Sequence, residues 1–361
     1  MKSIRANSKR AMLSIFTIVI ACSIGALWCS ESPQDIIAIT GATPKAIAAT
    51  VPSGSMLTIK GCTDKVYTFD SNALSALVPT YIFTREITPD SHYLGAYRYH
   101  GIPIANILDG IKIKKPANAA FDGPHDIIVQ FKSRSGKISK FSYGELIMSG
   151  NMFSYILAYK RQPIQPAKEG SSYTKNLYKD DLKGLRLVIA SDSDTSRYLD
   201  DVVEINLTVP AYDSSLVPKT KKGESCSSSA MHCIYKDTNT IARFSTLQKQ
   251  TVSNWIMVGH GRGYKGVSTV EGFTMKSFLH KNFTHIPKDA WFLFVGCDGY
   301  RCVFSYKEIF EHDTGNKLLV ATHINGKPVQ GNFMVGSTAD FFVDRCVWGL
   351  SHILMFTVTS H

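Results

Sequence analysis

A glycine-rich stretch with two basic residues is the most distinctive chemical pattern in the sequence. Residues 259–266 read Gly-His-Gly-Arg-Gly-Tyr-Lys-Gly. The glycines leave backbone N–H groups accessible, and Arg262 and Lys265 add positive charge, so the stretch predicts a site for a small anion such as phosphate or sulfate. Its spacing matches neither a P-loop nor a dinucleotide fingerprint. A flexible loop whose glycines permit tight turns is the alternative interpretation.

A second loop, in the first half of the chain, combines aromatic and basic residues. Residues 92–100 read His-Tyr-Leu-Gly-Ala-Tyr-Arg-Tyr-His. If the two loops line a shared cleft, that cleft suits a small anionic ligand. The residues predicted to bind the ligand come from both loops: His92, Tyr97, Arg98, His100, His260, Arg262, Tyr264 and Lys265.

Other polar residues are interpreted as structural. His260, His312 and His323 lack the spacing of metal ligands, so no metal site is predicted. Ser142 and Ser305 are each followed three residues later by glutamate, which is typical of helix caps rather than of nucleophiles. The aspartate pairs are interpreted as turn and surface residues: Asp192, Asp194, Asp200 and Asp201.

The chain has eight cysteines, which in an oxidising compartment indicates disulfides. The candidate pairs are Cys226 with Cys233 in a serine-rich linker, and Cys297 with Cys302 around a turn. Cys62 and Cys346 either pair with each other or stay buried as thiols. No CxxC or CxxCH spacing occurs, so neither a four-cysteine zinc site nor covalent haem is indicated.

An internal repeat indicates how these residues are positioned. Residues 126–147 align without a gap on residues 289–310, with seven of 22 positions identical. Further matches lie upstream and downstream, including Arg197 with Arg345. The matches together indicate a repeat of more than a hundred residues, which predicts a duplicated domain because a solenoid repeat is far shorter.

The elements within each copy predict an α+β fold. Short strands pair as hairpins, and capped helices follow the strands that end at Ser142 and Ser305. The predicted organisation is an N-terminal segment and two domains with linkers before and between them: 1–30, 31–55, 56–209, 210–230 and 231–361.

The N-terminal segment has the pattern of an export signal. Four basic residues precede an uncharged run over 12–28, which is also near the lower limit for a membrane anchor. Residues 19–22 resemble a bacterial lipoprotein cleavage site, which makes Cys22 a lipidation candidate. We therefore expect a periplasmic or cell-surface protein, tethered through its N-terminus or a lipid.

The net charge and the distribution of basic residues indicate which kinds of partner the protein binds. The formal net charge is +11, but no arginine-rich arm or interleaved basic and aromatic stretch occurs, so nucleic acid is not predicted. A basic surface on an exported protein favours anionic lipid, a small anion or an acidic envelope protein.

Several segments resemble the sulfite oxidase family, also called the oxidoreductase molybdopterin-binding domain. They are residues 97–108 (YRYHGIPIANIL), 141–146 (FSYGEL), 183–207 (KGLRLVIASDSDTSRYLDDVVEINL) and the turn 297–300. The resemblance implies two tandem sulfite-oxidase-like domains, related by duplication. It also implies molybdopterin as cofactor and oxidoreductase activity.

Departures from the family pattern change the functional expectation. Family members bind molybdenum through a cysteine, whereas the equivalent segments here, 81–85 and 255–260, contain none. Ala190 replaces an expected proline, and few arginines are available for the pterin phosphate. We expect a ligand-binding or accessory module without a cofactor. The alternatives are a molybdopterin-dependent oxidoreductase with an unconventional metal site, and a structural envelope protein.

Overall fold

A computed structural model of the chain describes residues 51–164, 182–218 and 230–358. The predicted export segment 1–30, the lipidation candidate Cys22 and the disulfide candidate Cys226 lie outside these residues. Within the described ranges, no helix is long and apolar enough to cross a membrane.

The first half of the described chain folds into two β-sheets. The five-stranded sheet has the order β2-β1-β9-β5-β6, and the four-stranded sheet has the order β3-β4-β7-β8. The strands are β1 (Met56–Gly61), β2 (Tyr67–Asp70), β3 (Thr80–Ile87), β4 (Tyr93–Pro103), β5 (Ile128–Ser133), β6 (Ile138–Ser142), β7 (Tyr155–Pro163), β8 (Arg186–Ile189) and β9 (Val202–Thr208).

The second half contains a five-stranded and a six-stranded sheet. Their orders are β11-β10-β20-β14-β15 and β12-β13-β16-β18-β19, with β17 paired to β16. The strands are β10 (His232–Tyr235), β11 (Thr238–Ile241), β12 (Gln250–Gly259), β13 (Gly263–Thr274), β14 (Ala290–Gly296), β15 (Arg301–Ser305), β16 (Leu318–Ile324), β17 (Lys327–Pro328), β18 (Met334–Ser337), β19 (Val347–Trp348) and β20 (Leu350–Thr357).

The two five-stranded sheets share one pairing pattern. Each is antiparallel except at one parallel pair, which is β1 with β9 in the first half and β10 with β20 in the second. The hairpins of residues 126–147 and 289–310 occupy equivalent places, β5–β6 and β14–β15. The aligned segments therefore fold into the same local structure.

The predicted α+β fold class is wrong, because the described residues are mostly β. Against twenty strands they contain four α-helices of five to eight residues: α1 (Ser71–Ser75), α2 (Ile104–Asp109), α3 (Tyr143–Ile147) and α4 (Met275–Asn282). The two predicted helix caps are confirmed, because Ser142 and Ser305 accept hydrogen bonds from the N–H groups of Glu145 and Glu308. However, they begin elements of only five residues, α3 and the π-helical turn Lys307–Glu311.

The cores follow from the alternation of side chains along the strands. In β1, Leu57 and Ile59 are fully buried, whereas the alternating residues Thr58 and Lys60 are not. In the second half, Phe292 of β14 packs in a core cluster with α4. Burying one such large apolar side chain stabilises the fold by about 1.5–3 kcal/mol.

Two glycines allow neighbouring strands to approach closely at equivalent bulges. A Cβ on Gly101 of β4 would lie 2.5 Å from the carbonyl oxygen of Leu157, and one on Gly272 of β13 would lie 2.2 Å from that of Val320. We expect Gly272→Ala to lower the free energy of unfolding by about 1–3 kcal/mol, because backbone atoms must move. Urea denaturation measures this.

The matched control is Gly110→Ala at the end of α2. A Cβ there meets nothing within 4 Å, and the backbone φ of −81° suits alanine. Equal losses of stability in the two variants would contradict the close-approach explanation.

Candidate functional site

The glycine-rich stretch forms the tip of the β12–β13 hairpin. Gly263 has a positive φ angle of 70° where the turn joins β13, and Gly266 has one of 119° beside a bulge within β13, conformations that glycine adopts readily. The backbone N–H of His260 donates to Asp344 Oδ2 at 2.6 Å, and its ring packs edge-on against Phe342. The other predicted ligand residues of the stretch are exposed: Arg262, Tyr264 and Lys265. The anion site predicted here stays a prediction.

Most of the aromatic and basic segment 92–100 belongs to strand β4 and does not form an open loop. Tyr97 is fully buried, and its hydroxyl donates to the carbonyl of Leu94 at 2.8 Å. His100 is 8% exposed and its ring stacks on Tyr81 at 4.2 Å. The side chain of Arg98, by contrast, lies on the exposed face, as does that of His92.

A cleft of about 970 Å³ lies elsewhere, and none of the eight predicted ligand residues lines it. The first half contributes strands β3 and β4 and the loop after β8, and the second half contributes residues 311–314. This volume suits a small-molecule ligand. The residues that determine its chemistry are Phe83, Arg85, Tyr93, Asp192 and His312.

One wall of the cleft is aromatic and carries a cation. Phe83 and Tyr93 are 64% and 44% exposed, and together they give the cleft an exposed aromatic surface. Phe83 and Arg85 project from the same face of β3, because Ile82, Thr84 and Glu86 point to the buried face. Arg85 forms no ion pair with a described carboxylate.

The floor of the cleft is a buried ionic group. His312 Nε2 lies 2.8 Å from Asp192 Oδ1, and Arg197 Nε donates to Asp192 Oδ2 at 2.8 Å. His312 Nε2 also lies 2.8 Å from Arg197 Nη2, so this one ring nitrogen contacts both the carboxylate and the guanidinium. Burial by itself raises the pKa of Asp192, but hydrogen bonds and charge from Arg197 and His312 lower that pKa to about 2.

The same arrangement occurs in both halves of the chain. Arg197 Nη1 lies 2.7 Å from Glu145 Oε1, and Arg345 Nη1 lies 2.6 Å from Glu308 Oε1. Each guanidinium also binds an aspartate five residues earlier in sequence, Asp192 or Asp340, and lies over a phenylalanine ring, Phe141 or Phe304. We call these residues and His312 the buried charge network: Glu145, Asp192, Arg197, Glu308, His312, Asp340 and Arg345.

The network contains more carboxylates than guanidiniums. Four carboxylates face two arginines, and a cavity of about 20 Å³ beside them has room for one water molecule. Glu145 is 1% exposed, and its Oε2 has no hydrogen-bond partner among the described residues. Burial raises the pKa of Glu145 to about 7; the attraction of Arg197 opposes this, and the charge of Glu308 adds to it.

The interpretation of Asp192 as a surface or turn residue was therefore wrong. Its side chain is 2% exposed and fully engaged with Arg197 and His312. The repeat could have indicated that Asp192 pairs with Arg197, because Asp192–Arg197 and Asp340–Arg345 have the same spacing at equivalent positions.

Both predicted disulfide pairs are wrong. Cys233 and Cys302 are free thiols, as are Cys62 and Cys346, and all four are buried. Burial raises the pKa of the Cys233 thiol to about 12 and that of Cys302 well above its usual range. Cys297 is disulfide-bonded, and none of the other described cysteines is its partner.

The cleft does not fit a molybdenum centre of the kind that the family resemblance implies. That metal is bound by a thiolate, and no free described cysteine lines the cleft. Within the described ranges, no group of three or more histidine, cysteine or acidic side chains is placed to hold a metal ion.

Comparison with known proteins gives only distant similarity. No family model matches the chain, and no curated protein matches it. Among solved structures, the sulfane dehydrogenase SoxCD from Paracoccus pantotrophus aligns with a TM-score of 0.32 and 11% identity, covering 85% of this chain and 78% of that chain. A similarity this distant does not assign the chain to a family.

Proposed function

We propose that this chain is a ligand-binding protein whose cleft takes a small molecule with an apolar body and one anionic group. The observation that carries the proposal is the exposed pair Phe83 and Tyr93 beside Arg85, above the Asp192–His312 floor. In this account the protein is exported and tethered at its N-terminus, as the sequence of residues 1–30 suggests. The duplicated unit resembles the sulfite oxidase family, and it acts without that family's metal.

The charges of the cleft support an anionic group on the ligand. Asp192 is neutralised by Arg197, and Glu311 is paired with Lys307 at 2.8 Å. Asp313 also lines the cleft; its side chain is exposed and forms no ion pair with a described residue. Arg85 has no such described partner, and a guanidinium binds carboxylate or sulfonate through paired hydrogen bonds. The anionic group therefore lies against Arg85.

The aromatic wall supports an apolar body on the same ligand. Covering Phe83 and Tyr93 removes apolar surface from water, which stabilises the complex by about 25 cal/mol per Å² buried. Hydroxyl groups around the cleft fix the ligand's orientation with hydrogen bonds. They belong to Ser154, Ser191, Ser193 and Thr314.

Anilinonaphthalene sulfonate is a suitable probe, because it combines an aromatic body with one negative charge. We expect Arg85→Gln to weaken its binding roughly tenfold, since one charge-assisted contact is lost. Phe83→Ala should weaken it by a similar factor through lost apolar contact. Fluorescence titration of the full chain measures both affinities.

Arg98→Gln is the matched control. Arg98 is an exposed arginine on the neighbouring strand, and it donates to Gln162 rather than lining the cleft. Its replacement should leave the affinity unchanged. Equal affinities of the Arg85 and Arg98 variants would contradict the proposed site.

A further inference from the structure

Two histidines far apart in sequence meet on one face of the second five-stranded sheet. His232 of β10 is the register partner of His352 of β20, and these strands are parallel neighbours. Their rings stack with centroids 5.0 Å apart and planes 15° apart. This pair is separate from the cleft and from the buried charge network.

The hydrogen bonds of both rings are made through Nδ1. His232 Nδ1 lies 3.0 Å from Asn239 Oδ1, an amide oxygen that can only accept. His352 Nδ1 lies 2.8 Å from Ser351 Oγ, and that hydroxyl donates its own proton to the carbonyl of Val295 at 3.2 Å. In its neutral form, each imidazole therefore has its proton on Nδ1 and a lone pair on Nε2.

This is the arrangement that metal-binding histidines use. A ligating imidazole donates one ring N–H to a neighbouring oxygen, which fixes the orientation of the other nitrogen. Among the described residues, no hydrogen bond reaches Nε2 of His232 or His352. Because the ring centroids lie 5.0 Å apart, one ion at about 2.0–2.1 Å from each Nε2 can bridge the two imidazoles once the rings tilt from their stacked orientation.

The neutral imidazole is the form that binds a metal ion, because only this form offers a lone pair to a cation.

We propose that His232 and His352 together bind one transition-metal cation, such as Cu²⁺, Ni²⁺ or Zn²⁺, through their Nε2 atoms. Imidazole nitrogen suits these ions, and affinity follows the order Cu²⁺ above Ni²⁺ and Zn²⁺. With two protein ligands, the remaining coordination positions hold water or an outside ligand. The site is independent of the proposed function of the cleft.

Calorimetric titration of the untagged full chain with Cu²⁺ and Ni²⁺ tests the proposal. We expect one ion per chain, and His232→Ala and His352→Gln should each weaken binding at least tenfold. The double variant should bind the ion only slightly more weakly than either single variant. In each single variant, the one imidazole that remains can no longer chelate the ion. His285→Ala, which removes an exposed histidine outside the pair, should leave the affinity unchanged.

Two further measurements separate this site from unspecific metal binding. Asn239→Ala should weaken binding about tenfold, because His232 loses the partner that orients it. The electron paramagnetic resonance spectrum of bound Cu²⁺ should show coupling to two imidazole nitrogens. Coupling to fewer than two, or affinities that do not change in the His232 and His352 variants, would overturn the proposal.

Discussion

Arg197→Met is expected to lower the free energy of unfolding by about 3–5 kcal/mol. Arg197 is 7% exposed and lies between the carboxylates of Glu145 and Asp192, which stay buried when the guanidinium is removed. The loss comes mainly from these unpaired buried charges rather than from the contacts themselves. Arg345→Met should have a similar effect, because Glu308 and Asp340 surround Arg345 in the same way. Urea denaturation at neutral pH measures both.

Arg134→Met provides the control for these variants. Arg134 also pairs with an aspartate, Asp201, at 2.9 Å, but its side chain is 68% exposed. An exposed ion pair contributes only about 0–1 kcal/mol, so this variant should be close to wild type. A similar small effect for Arg197→Met would show that the network does not hold buried charge.

The second large effect is a pH dependence of the free energy of unfolding, and it arises from the titration of Glu145. Its pKa rises from 4.5 in the unfolded chain to about 7 in the fold. Between these values the folded protein holds a proton that the unfolded chain has released, so stability falls as the pH rises through this window. The full effect is about 3 kcal/mol.

Comparison with Glu145→Gln isolates this effect, because glutamine imitates the protonated side chain. We expect the stability of wild type relative to the variant to fall by up to about 3 kcal/mol between pH 4.5 and pH 8. His125 and His352 change stability in the opposite sense, since their pKa values are lowered to about 4, but both proteins contain them. A difference between wild type and variant that does not change with pH would contradict the raised pKa.

The repeat aligned several residues of the network with one another, but the network itself was not predicted from sequence. The aligned pairs Phe141/Phe304 and Glu145/Glu308 occupy equivalent places, and both capping serines act as expected. Asp192 was misinterpreted because its burial depends on contact with His312, which lies 120 residues away. Local sequence contains no information about such a contact.

Strand register explains why the Cys297–Cys302 disulfide was predicted wrongly and why the His232–His352 contact was not predicted. Cys302 was expected to pair with Cys297, but it lies opposite Phe294 in the β14–β15 hairpin and packs in the apolar core. The pairing of His232 with His352 likewise follows from the parallel alignment of β10 and β20. Neither alignment can be derived from spacing in the chain.

The prediction of an α+β fold class was wrong for a different reason. The capping patterns correctly marked where helices begin, but they do not determine helix length. α2 ends at Asp109 after six residues, and α3 ends after five, so strands dominate.

Hydrogen exchange of the full chain, with and without anilinonaphthalene sulfonate, tests the ligand-binding cleft most directly. We predict that the probe slows exchange in β3 and in residues 311–314, because both line the cleft. Residues 259–266, at the tip of the β12–β13 hairpin, should exchange at the same rate in both samples. Slower exchange confined to that hairpin, or no change anywhere, would contradict the proposed cleft.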